Sequence, residues 1–268
     1  MKRTYYIVGL PASGKTTFLA ALGYCLINNE NKQCKYILGD FEDFDYISAL
    51  SNRWAECEML ERTSMNTEEG IVLPLIDDNG DLVEIVVSDK SGEQFSNMVS
   101  ERKIPIEKIS EIEGSQKIIL FVNPDNISSD VMISDVNEEF RVSSEDIVGF
   151  KEEKYMHEQA EYVELLQAIS ELKRNTIYLK VVISAWDTYE GACKPEELLK
   201  EKMPLLWQYL ASNKEKIICE FWGVSAQGGA LDDSEIQEKL RNELYPSNRV
   251  IVVNEAGETS NDLTQILS

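Results

Sequence analysis

A glycine-rich loop between a strand pattern and a helix pattern constrains this chain more than any other feature. A short apolar run precedes the loop, and apolar residues recur at helical spacing over residues 18–26. Residues 9–16 match the pattern G-x-x-x-x-G-K-[ST], whose backbone N–H groups turn toward a phosphate at the start of a helix. The sequence therefore predicts a strand, a phosphate-binding loop and a helix.

The residue types of this loop give its side chains separate roles. Lys15 is predicted to reach the β- and γ-phosphates as a catalytic cation, and Thr16 to ligate Mg²⁺. An unrelated glycine turn before a helix is the alternative, and the strand and helix patterns on either side favour the phosphate site. The loop residues predicted to bind the nucleotide are Gly9, Ala12, Ser13, Gly14, Lys15, Thr16 and Thr17.

Composition bounds the architecture and the partners. A length of 268 residues and a hydrophobic content of 43% suit one elaborated α/β domain spanning residues 1–268. The 26 Lys and Arg residues against 48 Asp and Glu residues give a net charge of −22, which argues against a nucleic-acid partner. The N-terminal segment has neither the apolar region of a signal peptide nor a membrane span. We therefore expect a cytoplasmic protein.

The patterns along the chain predict a three-layer α/β fold, with a mostly parallel sheet between helices. Asn79 and Gly80 separate two apolar runs, and this hairpin is expected to supply one antiparallel edge strand. Two insertions are predicted, a helix within about residues 40–62 and an acidic segment at about residues 126–155. The other predicted elements are strands over 36–38, 71–76, 82–87, 116–122, 177–185 and 216–224, helices over 158–172, 195–210 and 234–244, and an extra strand and short helix capped by Ser260 within about 247–268.

Asp89 and Gly92 follow the second strand of the hairpin, where a phosphate site needs a carboxylate. Asp89 is predicted to hold Mg²⁺ through water. Gly92 is predicted to place a backbone N–H near the γ-phosphate, because it has no side chain to obstruct the approach. An ordinary strand-end aspartate followed by a turn glycine is the alternative, and the upstream loop favours the metal and phosphate roles.

Together these segments resemble the Ras-like, translation-factor-related (TRAFAC) class of P-loop GTPases, which implies a Ras-like G domain. Residues 89–93 are similar to the Asp-x-x-Gly-Gln switch segment of that class. Thr67 lies 22 positions before Asp89, as the switch threonine does in Ras-like proteins, so the resemblance implies that Thr67 reaches Mg²⁺. Thr63 is the alternative, and either threonine can instead be a solvated loop residue. Arg62 offers a positive charge beside the switch, although a solvated arginine is the simpler interpretation.

The resemblance also assigns residues to the base. Asp187 lies where the class carries Asn-Lys-x-Asp after a strand, which implies that its carboxylate accepts hydrogen bonds from guanine N1 and the 2-amino group. Serine and alanine replace the asparagine and lysine at positions 184–185, and a structural Asp187 is the alternative. Trp186 is expected to supply part of the stacking. One helix and one strand later, Ser225 and Ala226 resemble the Ser-Ala-Lys motif, whose alanine N–H meets guanine O6.

The resemblance implies a Mg²⁺-dependent switch that binds GTP and GDP and hydrolyses GTP. The two insertions make the chain similar to bacterial members such as the double-GTPase family of multi-component conflict systems. Glu93 stands at the position of the glutamine that orients water, so slow hydrolysis is expected, with a protein partner or a nucleotide-dependent dimer completing the site. The alternatives are a P-loop ATPase or small-molecule kinase, and a nucleotide-bound scaffold without turnover.

Overall fold

One mixed β-sheet organises the computed structural model, which describes residues 2–29, 34–60, 70–87, 103–104, 106–126, 158–189, 191 and 194–268. Its strands are β1 (Lys2–Val8), β2 (Tyr36–Leu38), β3 (Ile71–Asp77), β4 (Leu82–Val87), β5 (Lys117–Val122), β6 (Ile177–Ser184), β7 (Ile217–Ser225), β8 (Ile251–Val253) and β9 (Thr259–Ser260). The helices are α1 (Lys15–Asn28), α2 (Phe44–Ala55), α3 (Ile106–Gly114), α4 (Glu158–Leu172), α5 (Pro195–Lys202), α6 (Pro204–Ser212) and α7 (Ser234–Arg241). Short 3₁₀ turns lie at Pro124–Asn126, Trp186–Thr188, Pro246–Arg249 and Leu263–Leu267.

The strands lie in the order β2-β3-β4-β1-β5-β6-β7-β8-β9. The five central strands from β4 to β7 are parallel, and the strands outside them pair in antiparallel fashion. The predicted mixed α/β sheet with a parallel centre is therefore confirmed. The expectation of one antiparallel edge strand is wrong, because β8 turns back beside β7, with Ile251 opposite Ser225, and β9 extends that edge.

The predicted hairpin between β3 and β4 is confirmed. Its last pair joins Ile76 to Leu82, and the Gly80 N–H donates to the Asp77 carbonyl over 2.8 Å. Gly80 has a φ of 79°, a conformation in which most L-residues are strained. The Asp77 carboxylate accepts hydrogen bonds from the N–H groups of Asn79 and Asp81, each over 2.9 Å. Local turn chemistry therefore fixes the register of this edge.

Alternation along the central strands sends side chains into two core layers. In β1, Tyr6 and Val8 face one layer, and Tyr5 and Ile7 face the other. Helices α3, α4, α5 and α6 cover the first layer, whereas α1, α2 and the C-terminal 3₁₀ turn cover the second. Each fully buried aliphatic or aromatic side chain contributes roughly 1.5–3 kcal/mol, so both faces stabilise the sheet.

The single helix predicted over residues 195–210 is divided into α5 and α6. Met203 interrupts it with φ −130° and ψ 60°, and Pro204 begins the next helix. Proline has no N–H to donate within a helix and disfavours helical geometry at the residue before it. Pro204 was the sequence signal for this break, but the helical spacing of apolar residues on both sides of it predicted one continuous helix.

The C-terminal cap differs from the prediction. Ser260 lies in β9, and the final 3₁₀ turn begins after Asp262, whose Oδ1 accepts a hydrogen bond from the Thr264 N–H over 2.9 Å. Asp262 performs the capping because its carboxylate stands directly before the turn. The helix α2 lies within the segment predicted to carry an inserted helix, and residues 127–155 of the predicted acidic insertion lie outside the described residues. None of the described helices is long and apolar enough to cross a membrane.

Candidate functional site

The loop between β1 and α1 passes two points of close approach that only glycine permits. A Cβ atom on Gly9 would lie 2.6 Å from the Phe121 carbonyl oxygen. A Cβ atom on Gly14 would lie 2.8 Å from Ser184 Cβ, and Gly14 also has a φ of 90°. The loop is therefore held against the carboxyl ends of β5 and β6, with its backbone leading into the first turn of α1.

Lys15 places a cation at the centre of this loop. Its side chain is only 6% exposed. The Nζ atom lies 2.9 Å from the carbonyl oxygens of Gly9 and Leu10, and 3.1 Å from Ser13 Oγ, as a donor to each. These oxygens hold the ammonium group on the concave side of the loop, where it favours an anion.

Other loop residues connect it to the neighbouring strand. The Ala12 carbonyl accepts a hydrogen bond of 2.8 Å from Asn126 Nδ2, just beyond the end of β5. Ala12 adopts a left-handed φ of 56°. Thr16 and Thr17 lie in the first turn of α1 and are partly exposed, and the Thr16 hydroxyl makes no hydrogen bond with another described residue. That hydroxyl is available to a ligand or a metal ion.

A cavity of about 300 Å³ extends from the loop along the carboxyl ends of β6 and β7. Ligands of open α/β sheets bind at this edge. The cavity brings together six residues that the sequence assigned to the nucleotide, which are Ala12, Gly14, Thr17, Asp187, Ser225 and Ala226. They come from three segments far apart in the chain, so the fold places the phosphate loop and the two predicted base motifs on one cavity.

Asp187 lies in the 3₁₀ turn after β6. Its carboxylate is partly exposed at the cavity and accepts no hydrogen bond from another described residue. The next residue, Thr188, has its Oγ1 2.7 Å from Asp125 Oδ2 and 2.9 Å from the Ala185 carbonyl oxygen. Burial and then the Asp125 carboxylate raise the pKa of Tyr189, so that phenol stays neutral. Hydrogen bonds thus hold the turn that carries Asp187, and Asp187 itself lines the cavity.

Trp186 does not supply the predicted stacking. It is 7% exposed and belongs to the core on the far side of the sheet from α1, where its ring packs on Gly223 and lies 6.1 Å from the Tyr189 ring. It is absent from the cavity lining. The reason is the left-handed turn at Ala185, with φ 52°, which directs the next side chain into the core.

The Ser225–Ala226 segment is held from two sides. Ser225 Oγ accepts a hydrogen bond of 3.0 Å from the Gly228 N–H. The Ala226 carbonyl accepts one of 2.9 Å from Trp54 Nε1 of α2. Both residues line the cavity, and both are at most 8% exposed. The backbone on this side of the cavity is therefore held in place.

The remaining predicted site residues lie outside the described residues, and they are Thr63, Thr67, Asp89, Gly92, Glu93 and the nearby Arg62. The strand β4 ends at Val87, which pairs with Ile7 of β1 two positions before the loop begins. Within the described part of the chain, no group of three His, Cys, Asp or Glu residues is arranged to hold a metal ion.

Sequence reasoning missed several residues of the cavity and its support. Asn123, Ser184, Thr188 and Gln227 line it, and Asn126 binds the loop. Asn123 directly follows the strand predicted over residues 116–122, and Asn126 stands at the start of the predicted acidic insertion. The signal for these two asparagines was their position. They are polar and lie just after β5, a parallel strand next to the one that leads into the loop.

The sheet has a parallel centre, and a glycine-rich loop follows its first strand. Asp187 lines the cavity beside that loop. These features define a P-loop nucleotide-binding protein. The profile of the protein family described as Double-GTPase 1 matches residues 6–268. The chain therefore belongs to the Double-GTPase 1 family, within the predicted class of P-loop GTPases. No curated protein sequence matches it.

Several solved GTPase structures are similar to this chain. The Ski7 GTPase-like domain of S. cerevisiae, bound to GTP, has 10% identity and a TM-score of 0.44, over 85% of this chain and 44% of that one. The small GTPase Arl6 of Trypanosoma brucei has 12% identity and a TM-score of 0.40, over 91% and 100% of the two chains. The signal recognition particle receptor complex of Chaetomium thermophilum has 8% identity and a TM-score of 0.45, over 85% of this chain and 92% of that one. The chain thus spans less than half of the Ski7 chain.

Proposed function

We propose that this chain is a Mg²⁺-dependent molecular switch that binds GTP and GDP and hydrolyses GTP. One observation carries the proposal, namely the cavity that joins Gly14 and Thr17 of the phosphate loop to Asp187 and Ala226. In this proposal the backbone N–H groups of residues 9–17 and the Lys15 ammonium bind the phosphates. The base then occupies the part of the cavity between the ends of β6 and β7.

The chemistry of the base side favours guanine. Guanine presents two donors, N1–H and the 2-amino group, to the Asp187 carboxylate, and an acceptor, O6, to the Ala226 N–H. Adenine presents the unprotonated N1 in place of N1–H and lacks the 2-amino group. A carboxylate facing that lone pair makes no hydrogen bond and loses its hydration, so the same acidic acceptor binds guanine and rejects adenine.

The switch and metal roles are assigned to residues on the phosphate side. Thr16 and Asp89 are proposed to hold Mg²⁺, with Thr67, or alternatively Thr63, and Gly92 responding to the γ-phosphate. Thr16 fits because its hydroxyl lies beside the loop without a protein partner among the described residues. Asp89 fits because it follows β4, the parallel neighbour of β1, by two residues. When bound, Mg²⁺ neutralises charge on the β- and γ-phosphates.

Nucleotide identity is the direct test of this function. We expect GDP and GTP to bind at least about tenfold more tightly than ADP and ATP, a difference of about 1.4 kcal/mol. Titration calorimetry with all four nucleotides and Mg²⁺ measures both pairs on one protein sample. Equal affinities, or a preference for adenine, would sink the GTPase proposal and favour a P-loop ATPase or kinase.

The rate of hydrolysis tests the role of Glu93. A carboxylate at this position repels the γ-phosphate, so we expect the isolated chain to hydrolyse GTP at roughly 10⁻⁴ to 10⁻² per second. Single-turnover assays on the wild type, Glu93→Gln and Glu93→Ala measure this directly, and the glutamine variant is the matched control because it removes only the charge. Fast wild-type turnover that is lost in Glu93→Ala would instead make Glu93 an efficient base. No turnover in any of the three proteins would support a nucleotide-bound scaffold.

Slow intrinsic hydrolysis suits a switch whose states are read by another protein. We propose that a protein effector, an activating partner or a nucleotide-dependent dimer completes the catalytic site. The proposed setting is the cytoplasm of a bacterium, in a multi-component defence system. The resemblance to double-GTPases of conflict systems motivates this setting, and the net charge of −22 favours a protein partner over nucleic acid.

A further inference from the structure

The inserted helix α2 reaches the base side of the cavity through Trp54. Trp54 is fully buried, and its Nε1 donates a hydrogen bond of 2.9 Å to the Ala226 carbonyl, across 172 positions of sequence. Ala226 is the residue whose N–H the proposed function assigns to guanine O6. A bond to the carbonyl of the same residue restricts the backbone that carries this N–H. Trp54 therefore restrains the backbone of Ala226 from outside the cavity.

The same helix packs closely on α1, which begins at the phosphate loop. A Cβ atom on Gly23 of α1 would lie 2.6 Å from Ser51 Oγ and 2.7 Å from Ile47 Cγ2. The two helices thus approach as closely as a glycine permits. The Trp54 ring also lies 5.2 Å from the Tyr24 ring. Helix α2 therefore packs on the helix that follows the phosphate loop and also donates a hydrogen bond to Ala226.

Arg249 fixes the C-terminal end of α2. Its guanidinium lies 4.4 Å from the centre of the Trp54 ring, its Nη2 donates to the Ala55 carbonyl over 3.1 Å, and it contacts Cys57 Sγ. The last carbonyls of a helix lack intrahelical partners, and a cation satisfies them well. A Cβ atom on Gly228 would lie 2.6 Å from the Arg249 carbonyl oxygen. Gly228, two residues after Ala226, and the end of α2 therefore both pack on Arg249.

We propose that α2, through Trp54 and Arg249, positions the Ser225–Ala226 segment relative to the phosphate loop and thereby sets the preference for guanine. The inference rests on the proposed function, because it concerns the same site. Trp54 is a positioning residue, since it does not line the cavity. Its hydrogen bond ends on the base side, so its loss weakens contacts with guanine and leaves the contacts of residues 9–16 with phosphate in place.

The test is Trp54→Phe, which keeps an aromatic ring over Arg249 and beside Tyr24 but removes the N–H donor. We expect the dissociation constant for GDP to rise about 3- to 10-fold, the effect of one buried hydrogen bond, with that for ADP changing less than about twofold. Titration calorimetry with both nucleotides gives the ratio of the two constants. A general loss of protein stability would weaken the binding of both nucleotides equally and leave the ratio of the two dissociation constants unchanged.

Trp222→Phe is the matched control. Trp222 lies on the same face of the sheet and is 9% exposed, and among the described residues its indole N–H has no hydrogen-bond partner. This variant should keep the wild-type ratio. Arg249→Lys is the second test variant, because it keeps a positive charge but loses the planar set of donors, and it should also lower the preference for GDP.

The outcomes separate this inference from the proposed function. A wild-type protein without any preference for GDP over ADP contradicts the proposed function itself. A wild-type protein that prefers GDP, with folded Trp54→Phe and Arg249→Lys variants that keep the same ratio, overturns only the positioning role of α2. If Trp54→Phe does not fold, the ratio measured for Arg249→Lys decides alone.

Discussion

Replacing Lys15 with alanine is expected to lower the affinity for GTP about 100-fold, the effect of two charge-assisted hydrogen bonds to phosphate. The Lys15 ammonium is held in the concave side of the loop by the Gly9 and Leu10 carbonyls and Ser13 Oγ. In this prediction, phosphate oxygens entering the loop replace two of these three acceptors around the Lys15 ammonium group. The measurement is titration calorimetry with GTP and Mg²⁺, alongside circular dichroism to verify the fold.

The chain offers a closely matched control in Lys173→Ala. Lys173 is 8% exposed, and its Nζ likewise donates to backbone oxygens, those of Ile112 and Ser115, away from the cavity. Both alanine variants lose a buried lysine that holds carbonyl groups, so both should lose some stability against unfolding. Only the Lys15→Ala variant should lose affinity for GTP. Equal affinities for GTP in the two variants would show that Lys15 serves the loop structure and not the phosphate.

The phosphate loop and the central strands were predictable because their signals are local. The glycines of residues 9–16 are needed for close approach, which limits what can replace them. Residues 118–122 of β5 and 181–183 of β6 are continuous apolar runs, because helices cover both faces of the parallel centre of the sheet. Asp187 follows β6 and Ala226 follows β7, and these two strands are neighbours in the sheet. The two residues therefore line one cavity.

Side-chain direction and long-range contacts were not predictable in the same way. Spacing placed Trp186 at a strand end, but the left-handed turn at Ala185 decides that its ring enters the core. The bond from Trp54 to Ala226 joins an inserted helix to a distant strand end, and no periodicity encodes such a pair. Pattern therefore locates the ends of strands, whereas the packing of the folded chain determines which side chains meet there.

The second large effect is expected from Asp187→Asn, which should exchange the preference for guanine for a preference for xanthine. Guanine offers two donors to the Asp187 carboxylate, and losing one of them together with the charge should weaken GTP about 100-fold. Xanthine has an oxygen at position 2, which accepts a hydrogen bond from the asparagine amide. Competition binding of GTP and xanthosine triphosphate to both proteins measures the exchange.

Asp125→Asn is the control for this exchange, because Asp125 is a neighbouring carboxylate outside the cavity lining. Its asparagine form can still accept the hydrogen bond from Thr188 Oγ1, so the turn that carries Asp187 should keep its geometry. The control should therefore bind GTP and xanthosine triphosphate as the wild type does. If Asp187→Asn also keeps the wild-type preference, Asp187 is a structural residue, and guanine is recognised without its carboxylate. Inversion of the preference in Asp187→Asn only would establish that one carboxylate after β6 selects the base.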